Sequence, residues 1–322
     1  MDSTDLKPGN AARCHWRHAA QTRTPLALLY LHGFTASPGE AGALPEQMAD
    51  ALGANLYVHR WPGHGSSAAD AMQGLKPATL HASALEALAQ AQRMGERVAI
   101  VGSSMGGTLG LWLAAQQPEP VAAVVAWSPG IRPADPALLD QVCAAQAPLT
   151  DPRPRNAASL AFWSNIIHPD GFRALRSLFA SVAADPPWSR VRCPVFVGYY
   201  RATNGEEDPT ASVPAMLAMF DALGTAASRK QAMAFDTGAH AIGSPHKTPH
   251  ADAVAQASIY ACGSSCADRD SIDQRRQGRT ARCNDSAHRY RSRLLDRGAG
   301  TTARGRENTD RIHWRSITPP PR

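Results

Sequence analysis

A serine lies inside a glycine-rich segment, Gly102 to Gly107, which reads GSSMGG. The β-branched run before it (residues 98–101) predicts a strand, and the apolar run after it (residues 108–115) predicts a helix. A G-x-S-x-G sequence between a strand and a helix indicates a sharp turn that exposes the central serine as a nucleophile. The flanking glycines remove Cβ atoms that would clash in such a turn, and the helix N-terminus favours developing negative charge. We therefore predict acyl-transfer chemistry at Ser104.

A serine hydroxyl reacts only when a base removes its proton and an acid orients that base. The acid is expected at the carboxyl end of a later strand. The loop after the apolar run at residues 194–200 offers three carboxylates, Glu206, Glu207 and Asp208. We choose Asp208 because it directly precedes Pro209 and the entry to the next predicted helix. Glu206 and Glu207 stay open as alternatives.

The base is expected in the loop that follows the last predicted strand, at residues 231–235. His240 fits this position, because small neighbours on both sides leave its imidazole room to reach Ser104. His246 and His250 lie close by in a proline-broken stretch and compete with it.

A second motif, HGF at residues 32–34, follows the first clear apolar strand, residues 27–31. The backbone N–H of Phe34, together with that of Met105, is predicted to form an oxyanion hole for the acyl-transfer intermediate. His32 then shapes this loop and is not the base. The tight loop at Pro62 to Gly65 is predicted to brace it.

Strand and helix signals alternate along the chain, which predicts an α/β fold with a mostly parallel central sheet and helices on both faces. Continuous apolar strands are typical of such a sheet, because both faces are covered. The alternation breaks between residues 130 and 189, where large apolar residues and prolines occur without a strand pattern. We interpret this segment as a helical cap inserted over the sheet.

The charge is distributed unevenly along the 322 residues, whose formal net charge is +6. Residues 263–322 hold 14 arginines, no lysine and 7 acidic residues, but only five of Leu, Ile, Val or Phe. This composition predicts a disordered, arginine-rich tail. We therefore divide the chain into an N-terminal extension (1–20), an α/β domain (21–262) and the tail (263–322). The near-neutral domain gives no reason to expect a nucleic-acid partner.

The chain has no apolar leader and no run of 18 apolar residues, so we expect no signal peptide or membrane span and a cytoplasmic location. Six scattered cysteines then favour free thiols. Cys262, Cys266, Cys283 and His288 could be assembled into a zinc site, but their spacing is irregular. We predict no metal and no cofactor.

These motifs together resemble the α/β-hydrolase family of serine esterases and lipases. The closest similarity is to the branch of carboxylesterases, monoacylglycerol lipases and serine aminopeptidases, and it covers about residues 20–260. The resemblance rests on the HGF and PGHG loops, the GSSMGG segment, Asp208 and the Gly238-Ala239-His240 run. It implies a triad of Ser104, His240 and Asp208, an oxyanion hole at Phe34 and Met105, and hydrolysis through an acyl-enzyme without a cofactor.

The leading functional prediction is hydrolysis of a small carboxylic ester with a fairly apolar acyl group. A peptidase or a thioesterase would use the same triad. A peptidase that reads a free amino terminus needs clustered carboxylates in the cap, and the five aspartates there are spread out: Asp135, Asp140, Asp151, Asp170 and Asp185. A non-enzymatic scaffold whose basic tail binds nucleic acid is a further alternative, which the intact motifs disfavour. The oligomeric state is not readable from these features.

Overall fold

The computed structural model describes residues 5–19 and 21–262 and the backbone of residues 315–316. The strands are β1 Arg13–His15, β2 Thr24–Leu31, β3 Asn55–Val58, β4 Gly95–Ser103, β5 Val121–Trp127, β6 Leu149–Thr150, β7 Ile166–Ile167, β8 Val195–Tyr200, β9 Lys230–Phe235 and β10 Arg315–Ser316. The helices are α1 Leu44–Ala51, α2 Pro77–Met94, α3 Met105–Gln116, α4 Pro136–Ala144, α5 Ala157–Phe162, α6 Pro169–Ala184, α7 Val213–Asp221 and α8, residues 251–262. Short 3₁₀ turns occupy Trp188–Arg190 and Ala227–Arg229.

Seven strands form one sheet in the order β1-β3-β2-β4-β5-β8-β9. All neighbours from β3 to β9 pair in parallel, and only β1 runs antiparallel, at the edge beside β3. The register aligns Gly102 of β4 with Leu31 of β2 and Ala126 of β5, so three strands end together at one edge of the sheet. The predicted mostly parallel sheet is confirmed, and this edge carries the loops that the sequence singled out.

Helices cover both faces of the sheet, as predicted. One apolar layer joins β2 and β4 to α2 and α3 and includes Leu29, Ile100 and Leu109. The other joins the opposite face to α1 and α8, and includes Met48 and Val254. The buried indole of Trp127 donates a hydrogen bond to the buried Ser258 hydroxyl over 3.0 Å, which fixes α8 against β5.

The inserted cap is not purely helical, which corrects the prediction for residues 130–189. Besides α4, α5 and α6 it contains two-residue strands, β6 and β7, which pair antiparallel. Runs this short carry too few residues to show an alternating pattern. The two residues of β10 pair antiparallel with β6.

The two predicted domain boundaries, at residues 21 and 262, can be compared with the described residues. β1 belongs to the sheet, so the sheet begins before the boundary drawn at residue 21. The predicted disorder of the tail concerns residues that, apart from 315–316, lie outside the described part of the chain. The same holds for Cys266, Cys283 and His288 of the considered zinc site.

Candidate active site

Ser104 occupies the sharp turn between β4 and α3. Its backbone has φ 52° and ψ −116°, a left-handed conformation that non-glycine residues rarely adopt. The surroundings hold this strain: the Ser104 amide donates to the Trp127 carbonyl over 2.8 Å, and its own carbonyl accepts from the amides of Thr108 and Gly130, both over 3.1 Å. Strained residues of this kind persist only where the structure over-determines them, as at reactive sites.

The two glycines that flank the turn, Gly102 and Gly106, are required because neighbouring backbone atoms lie too close for a Cβ atom. A Cβ on Gly102 would overlap the Gly106 backbone, and a Cβ on Gly106 would overlap the carbonyl oxygen of Leu31 at the end of β2. The first turn of α3 therefore packs directly on the ends of β4 and β2. The predicted role of these glycines is confirmed.

His240 and Asp208 meet at the carboxyl edge of the sheet, although 32 residues separate them. His240 Nδ1 lies 2.6 Å from Asp208 Oδ2, and the Asp208 side chain is fully buried. The other carboxylate oxygen, Oδ1, accepts from the amides of Thr210 (2.8 Å) and Ala211 (3.1 Å). These backbone donors fix the rotation of the carboxylate, so that one oxygen faces the imidazole.

The two alternative acids have other partners. Glu207 forms an ion pair with Arg201 at 2.6 Å. Glu206 hydrogen-bonds the Tyr200 hydroxyl, and burial together with this carboxylate raises the pKa of Tyr200 to about 12. Of the three carboxylates in this loop, the structure brings only Asp208 to His240.

The imidazole of His240 is electrostatically biased toward its charged form. Burial alone would lower its pKa, but the charge and hydrogen bond of Asp208, with a smaller contribution from Glu40, raise it above the ordinary 6.5. Nε2 of His240 has no hydrogen-bond partner within the described residues. The ring and Ser104 line the same cavity, of about 410 Å³. This leaves Nε2 available for a proton from a group in that cavity.

The competing histidines lie elsewhere. His246 stacks on Phe162 with ring centroids 5.0 Å apart, and its Nε2 lies 3.2 Å from the Gly39 carbonyl oxygen. His250 is exposed at the start of α8. Neither lines the cavity that holds Ser104.

The HGF loop packs against the serine turn. The space where a Cβ on Gly33 would stand is 3.3 Å from Ser104 Cβ, so only glycine fits without displacement. Within the described residues, neither Phe34 N–H nor Met105 N–H donates a hydrogen bond, which is consistent with the donor role predicted for both. The Phe34 ring packs edge-on against the His64 ring, with ring centroids 5.8 Å apart. This contact is expected if the Pro62 to Gly65 loop braces the HGF loop.

His32 serves the loop and not the cavity. It is fully buried, its Nδ1 lies 2.9 Å from the Gly33 carbonyl oxygen, and its Nε2 accepts from the Trp61 amide over 3.2 Å. Burial, together with neighbouring positive groups, holds its pKa well below the usual range. A neutral ring with both nitrogens engaged is a structural element, as predicted.

Glu40 is a site residue that the sequence reasoning missed. Its buried carboxylate accepts from the Gly33 amide and from the Tyr30 hydroxyl, each over 2.8 Å. Its backbone carbonyl accepts from Ser244 Oγ over 2.5 Å in the loop after His240. One residue thus joins the HGF loop to the histidine loop. Its position in a run of small residues resembled an ordinary surface loop, and no spacing marked it.

The cavity has two chemically different walls. One is apolar and comes from the helical part of the cap, including Leu138, Leu139, Leu175 and Phe179. The other is formed by residues 151–155 and 163 with Lys247, and it is rich in charge. Phe179 stands beside Gly130, next to the Met105 amide. The apolar wall therefore adjoins the predicted oxyanion hole.

Comparison with known proteins gives the family of the chain. The family model described as "Alpha/beta hydrolase family" matches residues 28–257. This chain belongs to the alpha/beta hydrolase family. The match includes the serine turn, the HGF loop, Asp208 and His240, so the resemblance seen in the sequence is confirmed at the level of the family and fold.

The chain is similar to lipolytic proteins. It is 34% identical to the thermostable monoacylglycerol lipase of Bacillus sp. (strain H-257) over 98 residues, which are 30% of this chain and 37% of that relative. The chain therefore matches little more than a third of that lipase. One solved chain, described with the two metagenome-derived lipolytic enzymes LipS and LipT, has a TM-score of 0.68 at 19% identity, covering 80% of this chain and 99% of the other. The monoacylglycerol lipase of Paleococcus ferrophilus has a TM-score of 0.60 at 18% identity, covering 79% and 98%.

Two sequence expectations concern metals and membranes. Across residues 5–19 and 21–262 no three His, Cys, Asp or Glu side chains are grouped to hold a metal ion. No helix in the same part of the chain has the length and apolar character to cross a membrane.

Glu40 gives a prediction about stability and pH. Burial raises its pKa from 4.5 to about 7, although its hydrogen bonds partly oppose this. Between these values the folded state binds more protons than the unfolded state, so stability is lost as the pH rises from 4.5 to 7. Glu40→Gln can still accept both hydrogen bonds and does not ionise. Relative to wild type, it should gain about 2 kcal/mol between pH 5 and pH 8 in urea unfolding.

Asp252→Asn is the control, because Asp252 is exposed on α8 and lies outside the cavity. Its stability difference from wild type should be the same at both pH values. A Glu40→Gln difference that is equally independent of pH would show that Glu40 titrates as an ordinary carboxylate.

Proposed function

We propose that this protein is a serine hydrolase that cleaves a small carboxylic ester with a fairly apolar acyl group. Membership of the family and similarity to lipases support an enzyme that hydrolyses esters. The observation that carries the finer proposal is the 2.6 Å contact of His240 with the buried Asp208, in a cavity shared with the strained Ser104. A carboxylate–imidazole pair beside a strained serine is the arrangement that activates a hydroxyl.

In the proposed mechanism, Ser104 Oγ attacks the ester carbonyl while His240 Nε2 takes its proton. Asp208 holds Nδ1–H toward itself, which selects the tautomer with a basic Nε2 and stabilises the imidazolium that forms. The amides of Phe34 and Met105 donate to the oxyanion of the tetrahedral intermediate. His240 then protonates the leaving alkoxide. Water repeats the sequence on the acyl-enzyme and releases the acid.

The charges of the cap favour an ester substrate over a peptide with a free amino terminus. Asp151 is paired with Arg153 and Arg155, and Asp170 is paired with Arg173. Asp140 pairs with Arg176. Asp135 also lines the cavity, where its carboxylate caps α4 by accepting from the Leu138 amide. One such carboxylate is not the cluster that a peptidase reading a free amino terminus needs. Thioester cleavage by the same residues stays an alternative activity. The cytoplasmic location stays a prediction from the sequence.

Substitutions at the three proposed residues test the mechanism. Ser104→Ala should lower kcat for p-nitrophenyl butyrate by about 10⁴-fold or more, because no other acyl acceptor is proposed. Asp208→Asn should lower kcat by about 10³-fold or more, since the amide disfavours the productive tautomer. In Asp208→Asn the acidic limb of the kcat/KM profile should also move to lower pH, because the carboxylate is what raises the pKa of His240.

The chain supplies matched controls for these changes. Glu206→Gln and Glu207→Gln alter the same loop, and His246→Ala alters the same region as His240, yet each should keep kcat within about threefold of wild type. Near-normal turnover by a folded Ser104→Ala protein would contradict the nucleophile. A larger loss in Glu207→Gln than in Asp208→Asn would contradict the assigned acid.

The apolar wall should set the preferred acyl length. Phe179 lines the cavity, whereas the Phe162 ring fills the space beside Gly39 and stacks on His246. Phe179→Ala should shift the optimum of a p-nitrophenyl acetate-to-decanoate series toward longer chains, because it enlarges the cavity. Phe162→Ala should keep the optimum and lose about 2 kcal/mol of stability in urea unfolding. The opposite pattern would place the acyl site at Phe162.

A further inference from the structure

The charged wall of the cavity contains more cations than its carboxylates neutralise. Arg153, Arg155 and Lys247 line the cavity that holds Ser104 and His240. Asp151 is the carboxylate paired with this group: Arg153 approaches both of its oxygens, with contacts of 2.6 to 3.2 Å, and Arg155 binds the same carboxylate. Two guanidinium groups thus share one counter-ion, and the Lys247 ammonium is not paired with it.

Repulsion within this group of cations disfavours the charged form of the two neighbouring lysines, Lys247 and Lys7. Partial burial, followed by repulsion from Arg155 and Arg153, lowers the pKa of Lys247, although the charges of Asp151 and Glu40 partly oppose this. Burial and repulsion from Arg155 likewise lower the pKa of Lys7 behind the wall. Lys247 Nζ donates to Ser159 Oγ over 2.6 Å and stands 4.5 Å from the centre of the Trp163 ring, both neutral partners. Of the three cations only Arg155 has a buried side chain, because Arg153 and Lys247 are exposed to solvent. An unpaired charge is costly where solvent is excluded, so the need for an anion is greatest at Arg155.

Arg155 supplies a second, independent observation. Only 8% of its side chain is exposed, and one guanidinium nitrogen, Nη1, is buried without a hydrogen-bond partner within the described residues. Buried guanidinium donors are nearly always satisfied, because an unpaired one forfeits its hydration. Such an unsatisfied donor beside a substrate cavity indicates a ligand that carries an acceptor.

We propose that this wall is an anion subsite and that the natural ester carries a carboxylate, bound by Arg153, Arg155 and Lys247. This rests on the proposed ester hydrolysis and narrows its substrate to the class of monoesters of small dicarboxylic acids and esters of small hydroxy acids. The apolar wall then holds the hydrocarbon part. Arginine presents parallel donors that match the two oxygens of a carboxylate.

Two pairs of synthetic esters test the subsite on either side of the scissile bond. On the acyl side, mono-p-nitrophenyl glutarate is compared with its neutral isostere p-nitrophenyl 4-carbamoylbutyrate. On the alcohol side, the butyrate ester of 3-hydroxybenzoate is compared with that of 3-hydroxybenzamide. In wild type, kcat/KM should favour the carboxylate member of at least one pair by about tenfold or more, since a charge-assisted hydrogen bond contributes about 1.5 kcal/mol or more.

Variants then locate the preference. Arg153→Gln leaves Asp151 paired with Arg155 and should lower the carboxylate-to-amide ratio of kcat/KM about tenfold, whereas Arg153→Lys should restore part of it. Lys247→Gln, in a different loop, should lower the ratio as well and serves if the first variant does not fold. Arg176→Gln is the matched control: Arg176 pairs with Asp140 on the cap and lies outside the cavity, so the ratio should not change.

The outcomes separate the two proposals. Hydrolysis of all four esters with no carboxylate preference in either pair would overturn the anion subsite and leave the proposed function standing. A preference that survives both Arg153→Gln and Lys247→Gln would also overturn it. If none of the four esters is hydrolysed while p-nitrophenyl butyrate is, the anion subsite fails and the proposed function stands. If p-nitrophenyl butyrate is not hydrolysed either, the proposed function fails and the subsite fails with it.

Discussion

The close approach of α3 to the ends of β2 and β4 is the constraint on which the site depends. Gly106 lies where any side chain would overlap the Leu31 carbonyl, and Gly102 lies where it would overlap the Gly106 backbone. This contact brings the left-handed Ser104 next to Gly33, so the serine turn packs directly on the HGF loop that carries Phe34, one of the two proposed oxyanion donors. Backbone packing at these glycines therefore sets the position of the serine turn relative to the HGF loop.

The parallel sheet brings the remaining groups to that point. Because β4, β5, β8 and β9 are adjacent and parallel, their following loops emerge at one edge, and the loops after β8 and β9 carry Asp208 and His240. Glu40 then ties the HGF loop to the loop after His240, through its carboxylate at one end and its backbone carbonyl at the other. The site is assembled from the loops that follow β2, β4, β5, β8 and β9. Strand pairing and the contacts of Glu40 restrict how these loops can move relative to one another.

The sequence predicted those parts of the molecule in which local pattern and global position agree. Continuous apolar strands, the glycines around Ser104 and the order of acid and histidine each reflect a constraint that acts on neighbouring residues. Asp208 could be preferred over Glu206 and Glu207 but not assigned, because the choice depends on which side chain turns inward from one loop. In the structure Glu207 forms an ion pair with Arg201, and Asp208 contacts His240.

Other features could not be predicted because they arise from contacts distant in sequence. Glu40 meets Tyr30 and Gly33 in a buried pocket, and nothing in its own segment indicates burial. The cationic wall joins residues 153–155 to Lys247, which are about 90 positions apart, so the local charge excess is invisible in a domain of near-neutral composition. The short strands β6 and β7 depend on pairing with each other and not on their own propensity.

Covalent labelling tests the central claim most directly, because it reports the nucleophile and its activation without a known substrate. The protein is treated with a fluorophosphonate, digested, and analysed by mass spectrometry. The account predicts a single adduct on the peptide that contains Ser104, formed at a rate that falls by orders of magnitude in His240→Ala. An adduct on another residue, or no adduct on a folded protein that hydrolyses p-nitrophenyl butyrate, would contradict the account.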